Sequence, residues 1–309
     1  MLRPAADDAA AAREQRIGVA AGIAAYVFWG FVAPIYFKSI AKVAPLEVLA
    51  HRVIWSVAFL ALLLIVQRRL PAVLSAVRDP RILRALAAST ILVALNWLIF
   101  IWAVGKGHIL QASLGYFITP LLNVLLGYVF LGERLHSLQK LCVLFAALGI
   151  AWLLYSTGGL PLPALAMAIT FALYGLVRKV VRVDALVGLS VETGMLLVPA
   201  LGYLLYLASR HESVFAAGPW SMRFQLISAG IVTSAPLLFF THAARRLRLA
   251  TLGFLQYLSP TGQFLLAVLV YKEKFDVNRA ICFAFIWLAL VVYSYDAVQA
   301  ARRQRNAAT

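Results

Sequence analysis

The sequence predicts an all-α integral membrane protein of about ten transmembrane helices, built as two inverted five-helix repeats. Three observations predict it. Of the 309 residues, 63% are apolar and 13% charged, whereas a water-soluble domain is near half apolar and a quarter charged. The apolar residues gather into runs of bilayer-spanning length, roughly 20 residues each. The chain also repeats itself weakly at a shift of 140 positions.

Residues 1–16 are polar and Ala-rich and read as a disordered cytoplasmic tail. The run from Ile17 to Phe37 is too long for the core of a cleaved signal, so it reads as the first span. Spans at 18–37, 47–66, 85–104, 111–131 and 139–156 make a first repeat over 17–156. Spans at 162–177, 187–208, 224–243, 250–271 and 280–298 make a second over 161–299, followed by a cytoplasmic tail at 300–309. The turn-rich segment Gly158-Gly159-Leu160-Pro161-Leu162-Pro163 separates the two. Inside lipid every backbone amide must be paired within its own segment, so each run reads as a helix.

At the 140-residue shift Pro120 falls on Pro260, Glu133 on Glu273, Cys142 on Cys282 and Asn123 on Gln263. Matches among Leu and Phe mean little in so apolar a chain; a proline, an acidic loop residue and a cysteine in one register mean more. Five spans per half is an odd number, so the second half enters the membrane upside down. That is the inverted-repeat pattern of secondary transporters, with the site between the repeats near the bilayer midplane.

The net charge of +16 would suggest nucleic acid in a soluble protein, but here the basic residues lie between apolar runs. Nineteen fall in the tails and even-numbered loops and eight in the odd-numbered loops. Positive residues favour the cytoplasmic side, so both termini are expected inside, in the cytoplasmic membrane, with no nucleic-acid partner. Cys142 and Cys282 lie in apolar runs without metal-ligand spacing, and no metal or cofactor is expected.

Polar and aromatic residues inside the spans are the candidates for function. His51 and Arg52 lie about one turn into the second span, where Arg52 either faces a cavity or snorkels to the surface. Glu192 is the only carboxylate well inside an apolar run, opposite His51 in the repeat. Proton coupling, substrate contact and a structural hydrogen bond are all open to it. Asn96, Tyr116, Gln256 and Tyr257 supply further polar groups, either to a cavity or as glue between helices. Trp29 and Tyr174 could stack flat or cationic organic molecules, or simply pack. Pro120, Pro260 and Pro236 are helix-kink positions. No His-Glu-x-x-His or Gly-x-Ser-x-Gly motif occurs, so no catalytic residue is expected.

Several segments carry a specific resemblance. Ala25-Tyr26-Val27-Phe28-Trp29-Gly30, His51-Arg52-Val53-Ile54-Trp55-Ser56, Ala112 to Leu121, Leu173 to Lys179 and Arg246 to Tyr257 are similar to the RarD-type ("chloramphenicol-sensitive") permeases of the EamA family in the drug/metabolite transporter superfamily. Thr119 departs from the asparagine often found there. The resemblance runs from about Gly18 to Asp296 and implies ten helices in two inverted repeats. It also implies a cavity between the first four helices of each half, and export-type secondary transport.

Together these readings give a permease for a small organic metabolite or drug working by alternating access. Its expected partners are a small-molecule substrate and membrane lipid, with protons and a homodimer left open. The alternatives are a non-transporting receptor or scaffold and, further off, a membrane-embedded enzyme.

Overall fold

The computed structural model describes residues 5–105, 109–156, 158, 162–272 and 277–306, with helices and short turns and no strand among them. Glu273 and most of the central break (157 and 159–161) lie outside the described residues.

The chain begins with α1 (Ala5–Val27), which passes through a π-helical turn (Phe28–Val32) into α2 (Ala33–Ser39). Then come α3 (Pro45–Val66), α4 (Leu70–Arg78), α5 (Pro80–Gly105), α6 (Ile109–Leu131) and α7 (Ser137–Ser156). The second half holds α8 (Leu162–Val180), α9 (Ala185–Ser209), α10 (Val214–Ala217) and α11 (Trp220–Arg246). It ends with α12 (Leu249–Gln256), α13 (Leu258–Leu265), a second π-helical turn (Leu266–Val270) and α14 (Val277–Asn306).

Eight helical stretches among the described residues are long and apolar enough to cross a membrane. Two shorter apolar stretches, Gly115–Leu131 and Ala280–Asp296, lie within α6 and α14. The chain is an all-α membrane protein. Each expected span coincides with helix, and the helices extend a few residues past the apolar runs. At the ends the difference is larger: α1 already begins at Ala5, in the stretch read as a disordered tail, and α14 continues to Asn306. Alanine and arginine are strong helix formers, so the helices outrun their hydropathy. Hydropathy also gave no hint of α4, a short helix with Val73 and Ala76 turned inward and Leu70 and Leu74 exposed.

Side chains set where several helices start. The Asp79 carboxylate accepts from the Arg81 N–H at 2.8 Å to open α5, and Asp184 accepts from Leu186 N–H at 3.0 Å to open α9. These are N-caps, each satisfying an amide that the first helical turn leaves without a partner. Glu133 reaches from the end of α6 to cap α12, accepting from Leu249 N–H at 2.8 Å and Ala250 N–H at 3.1 Å.

The helices pack as α7 on α14, α6 on α8 and α12, α1 on α11, α3 on α9 and α11, and α5 on α8. The closest approach of α3 and α11 depends on Gly230, where any side chain would overlap the Trp55 backbone; the Ser56 hydroxyl donates across the same contact to Gly230 C=O at 3.3 Å. The outward faces carry Leu62, Ile65, Val198 and Leu205, each exposed by more than half in Leu62's case and up to 77% for Val198. Such a surface would be a liability in water and is what lipid requires.

Two helices are interrupted beside the centre. The first π-helical turn hands the Phe28 carbonyl to Ala33 N–H. The next donor in that register would be Pro34, which has no N–H. The Trp29 carbonyl is instead met by the Gln263 amide at 3.3 Å, from the opposite half. Between α12 and α13 the break falls at Tyr257, three residues before Pro260. Pro120 and Pro236 both sit inside helices that continue without interruption.

Candidate functional site

A cavity of about 750 Å³ lies between α1–α2, α3, α5, α6, α8, α11 and the α12–α13 break. Its walls are mostly aromatic and aliphatic, and its lining residues Lys38, Ala41 and Pro45 are exposed, which puts its mouth at the junction of α2 and α3. Successive spans cross in alternate directions, so this mouth lies at the end of the molecule opposite both chain termini.

Arg52 is the dominant polar group in the cavity. Its Nε donates to the Thr233 hydroxyl at 2.9 Å, and its guanidinium carbon lies 4.8 Å from the Trp97 ring centroid and 5.2 Å from that of Phe37. The cation thus lies over two aromatic rings, which attract it electrostatically. Its two terminal nitrogens have no hydrogen-bond partner among the described residues. Lys38, at the mouth, stands over the Tyr271 ring at 3.2 Å. Asn96, Tyr116, Gln256 and Trp29 line the same space, with Pro260 at its edge. Asn96 is anchored by donating to the Met167 carbonyl at 2.8 Å and the Thr170 hydroxyl at 3.1 Å, and Gln256 accepts from Asn123 at 2.9 Å.

The other sequence-selected residues lie outside the cavity. His51 points away from Arg52, into a pocket under α10. There its Nε2 is 4.0 Å from Glu47, its Nδ1 accepts from Trp55, and its ring lies 4.7 Å from Phe215. Tyr257 is buried, with its hydroxyl directed at the Phe117 carbonyl 3.4 Å away. Tyr174 stacks on Phe240, with 5.9 Å between centroids, and points its hydroxyl at Glu192 Oε2 3.4 Å away.

Glu192 sits on the far side of that aromatic layer, toward the end bearing the termini. Its carboxylate is 3.6 Å from the Arg178 guanidinium and accepts from the Ser89 hydroxyl. Neither Arg178 nor Glu192 is open to solvent. Gly188 makes the place for Arg178: a side chain there would collide with the guanidinium. Between cavity and ion pair, Trp29, Phe171, Phe240 and Tyr174 form a contiguous stack with centroids 5.2 to 5.9 Å apart.

Beyond the pair the same end is tied by surface contacts. Lys179 donates to the Leu247 carbonyl, and Asp184 meets Arg69 at 3.1 Å and Arg245 at 4.0 Å. Partial burial pushes the Asp184 carboxyl up, but the Leu186 N–H and the Arg69 guanidinium outweigh it and hold the group below its ordinary range. The cavity is therefore open at one end and closed at the other by an aromatic layer, a buried ion pair and a polar rim.

Sequence reasoning missed Arg178 and Ser89 as partners of Glu192, and Phe37 as a wall of the Arg52 site. It also missed Glu47, which is buried in the first turn of α3 and accepts from the Ser213 hydroxyl at 3.0 Å and Phe215 N–H at 3.2 Å. Among the described residues no cluster of His, Cys, Asp and Glu has the makings of a metal site.

Comparison with known proteins gives consistent matches. The model of the EamA-like transporter family matches residues 16–155. The chain is 48% identical over 295 residues to a Vibrio cholerae protein named "Uncharacterized transporter", covering 96% of this chain and 97% of that one. It is 47% identical over 292 residues to "Protein RarD" of Escherichia coli, covering 94% and 98%. With "Chloramphenicol-sensitive protein RarD" of Pseudomonas aeruginosa it shares 32% over 293 residues, covering 93% and 96%. A solved crystal structure superposes with a TM-score of 0.66 at 22% identity, over 89% of this chain and 96% of that one, a likeness of fold.

Proposed function

The chain belongs to the RarD-type permeases of the EamA-like transporter family, and from that premise we propose that its central cavity is the binding site of an alternating-access exporter. This is a multi-pass inner-membrane protein and a membrane transporter of the drug/metabolite class, acting on small molecules in a lipid environment.

The observation that carries the proposal is the asymmetry of the cavity. About 750 Å³ is reached from the mouth between α2 and α3, while the opposite end is closed around Arg178 and Glu192. A volume of that size suits a drug-sized organic molecule. With both termini cytoplasmic, as the basic residues favour, the open mouth faces outward. In the alternate state the Arg178–Glu192 end parts and the mouth closes.

The reading of 17–156 and 161–299 as two inverted halves accords with this cycle. The helix pairings exchange between halves: α1 packs on α11 as α8 packs on α5, and α6 packs on α8 as the α12–α13 segment packs on α1 and its π-helical turn. The pairs α3–α9 and α7–α14 map onto themselves. If a proton gradient drives the cycle, Glu192 is the carboxylate at the moving end.

Reconstitution in liposomes tests the reading. Purified protein should carry some organic solute down its gradient, and a pH gradient should reveal any coupling. No flux over a broad panel of metabolites and drugs, with a stable protein partner recovered by cross-linking, would instead make the chain a scaffold.

A further inference from the structure

We infer that the substrate of this cavity is an amphipathic organic anion, a flat apolar body bearing a carboxylate or similar acid group that docks on Arg52. The inference rests on the transporter reading of the same cavity and adds the chemical class of its cargo.

The charges come first. Among the described residues the cavity lining holds two cations, Arg52 and Lys38, and no Asp or Glu. Among the described residues no carboxylate lies within ion-pair distance of either one. Arg178, by contrast, is drawn inward together with the carboxylate of Glu192. A guanidinium held in an apolar cavity without a counter-charge is costly, and an incoming anion relieves that cost.

The geometry of Arg52 narrows the class. Trp97 and Phe37 lie beside the guanidinium, and Thr233 takes Nε. The two terminal nitrogens make no hydrogen bond to any described residue. Those N–H groups lie in the guanidinium plane, in the fork arrangement that matches the two oxygens of a carboxylate. The two neighbouring rings and the Thr233 bond hold the side chain before any ligand arrives, so little side-chain entropy is lost on binding. Around this one polar anchor the walls are aromatic: Trp29, Trp97, Phe100, Tyr116 and Phe171. They suit a flat apolar body. Lys38 at the mouth adds a second positive charge on the way in or out. A cationic drug, which aromatic walls alone would welcome, meets two like charges here.

Three probes of one shape decide it: 1-naphthylacetate, 1-naphthylacetamide and 2-(1-naphthyl)ethylamine, titrated calorimetrically into the full-length protein in nanodiscs. The acid should bind at least about tenfold tighter than the neutral amide, in line with the strength of a charge-assisted bidentate bond, and the amine weakest of all. Arg52→Gln should remove that preference, lowering the affinity for the acid by a much larger factor than that for the amide. Arg52→Lys should retain part of it, because the charge stays and the fork is lost. Lys38→Gln, at the exposed mouth, should lower acid affinity by a smaller factor and keeps the test alive if Arg52 variants do not fold. Equal or tighter binding of the amine or the amide overturns the inference. So does the absence of binding by every aryl, indolyl and alkyl carboxylate of comparable size. The transporter reading fails separately: carboxylate binding that depends on Arg52 without any flux in liposomes sinks transport and leaves the ligand class standing. Flux of neutral or cationic solutes alone does the reverse.

Discussion

Arg178 Nη1 and Glu192 Oε1 stand 3.6 Å apart at the closed end of the molecule, and neither side chain reaches solvent. A buried pair of this kind adds little net stability over an apolar one, but losing one partner strands the other charge. Arg178→Met is therefore expected to destabilise the protein by about 3 kcal/mol or more, and Arg178→Met/Glu192→Met to recover most of that loss. Thermal unfolding in detergent checks it. Single variants as stable as the parent would show that the two groups do not depend on each other.

Glu192→Gln separates closure from coupling. The amide keeps the shape of the carboxylate and can still accept from one of the two hydroxyls, Ser89 or Tyr174, that donate to it, but it cannot ionise. Exchange of substrate for substrate across liposomes is expected to persist. If Glu192 carries the proton, accumulation driven by a pH gradient is lost at the same time. Normal gradient-driven accumulation with an unchanged pH profile would make the residue structural.

Asp184 gives a pH signature at the rim of the closed end. Its folded-state carboxyl is held below the ordinary range by Leu186 N–H and Arg69 against the opposing effect of burial. A depressed folded value means that its stabilising contribution is full above the unfolded value, near 4, and disappears as pH falls through the folded one. The melting temperature of the parent should exceed that of Asp184→Asn at neutral pH, and the gap should close in acid. A gap that widens below pH 4 contradicts the assignment.

Gly230→Ala should cost about 1–3 kcal/mol, the usual range for forcing atoms into a filled contact, because the added methyl meets the Trp55 backbone. Size-exclusion profiles on heating report it directly. An unshifted profile would mean that α3 and α11 separate more easily than their packing suggests.

Orientation is checked by labelling. Ala41→Cys, at the exposed mouth, should react in intact cells with a maleimide that cannot cross membranes, whereas Cys142 and Cys282 are buried. Reporter fusions after Arg69 and Arg182 should read cytoplasmic, and those after Lys42 and Arg210 external. The opposite pattern would reverse the direction in which the cavity opens.

Much of this fold was legible in the chain. Every run picked by length and hydropathy falls on helix, since a helix in lipid must be apolar over its crossing. Arg52, Asn96, Tyr116, Gln256 and Trp29, picked as polar or aromatic residues inside the spans, all line the cavity. What depth does not give is the direction a side chain faces. His51 precedes Arg52 by one residue, a turn of about 100° on the helix, and it faces α10 instead of the cavity. Tyr174 and Tyr257 were at plausible depths but lie behind the cavity wall.

The partner of Glu192 was hidden for a different reason. Arg178 stands in a basic run at a span end, where arginine ordinarily meets water or headgroups. Only the missing side chain at Gly188 lets it turn inward. The π-helical turn at Phe28–Val32 had a trace in Pro34, yet the bond that completes it comes from Gln263, far away in sequence.

The packing of α7 against α14 bears on how the chain could be rewired. α7 closes the first half and α14 the second, so this seam joins the halves without help from the peptide link between Ser156 and Leu162. α1 starts, and α14 finishes, at the same end of the molecule. A circular permutant that runs α8 to α14 and then α1 to α7 would keep every helix pair and need only a new connection at that end. Its new termini would emerge beside the cavity mouth, on the other face of the membrane.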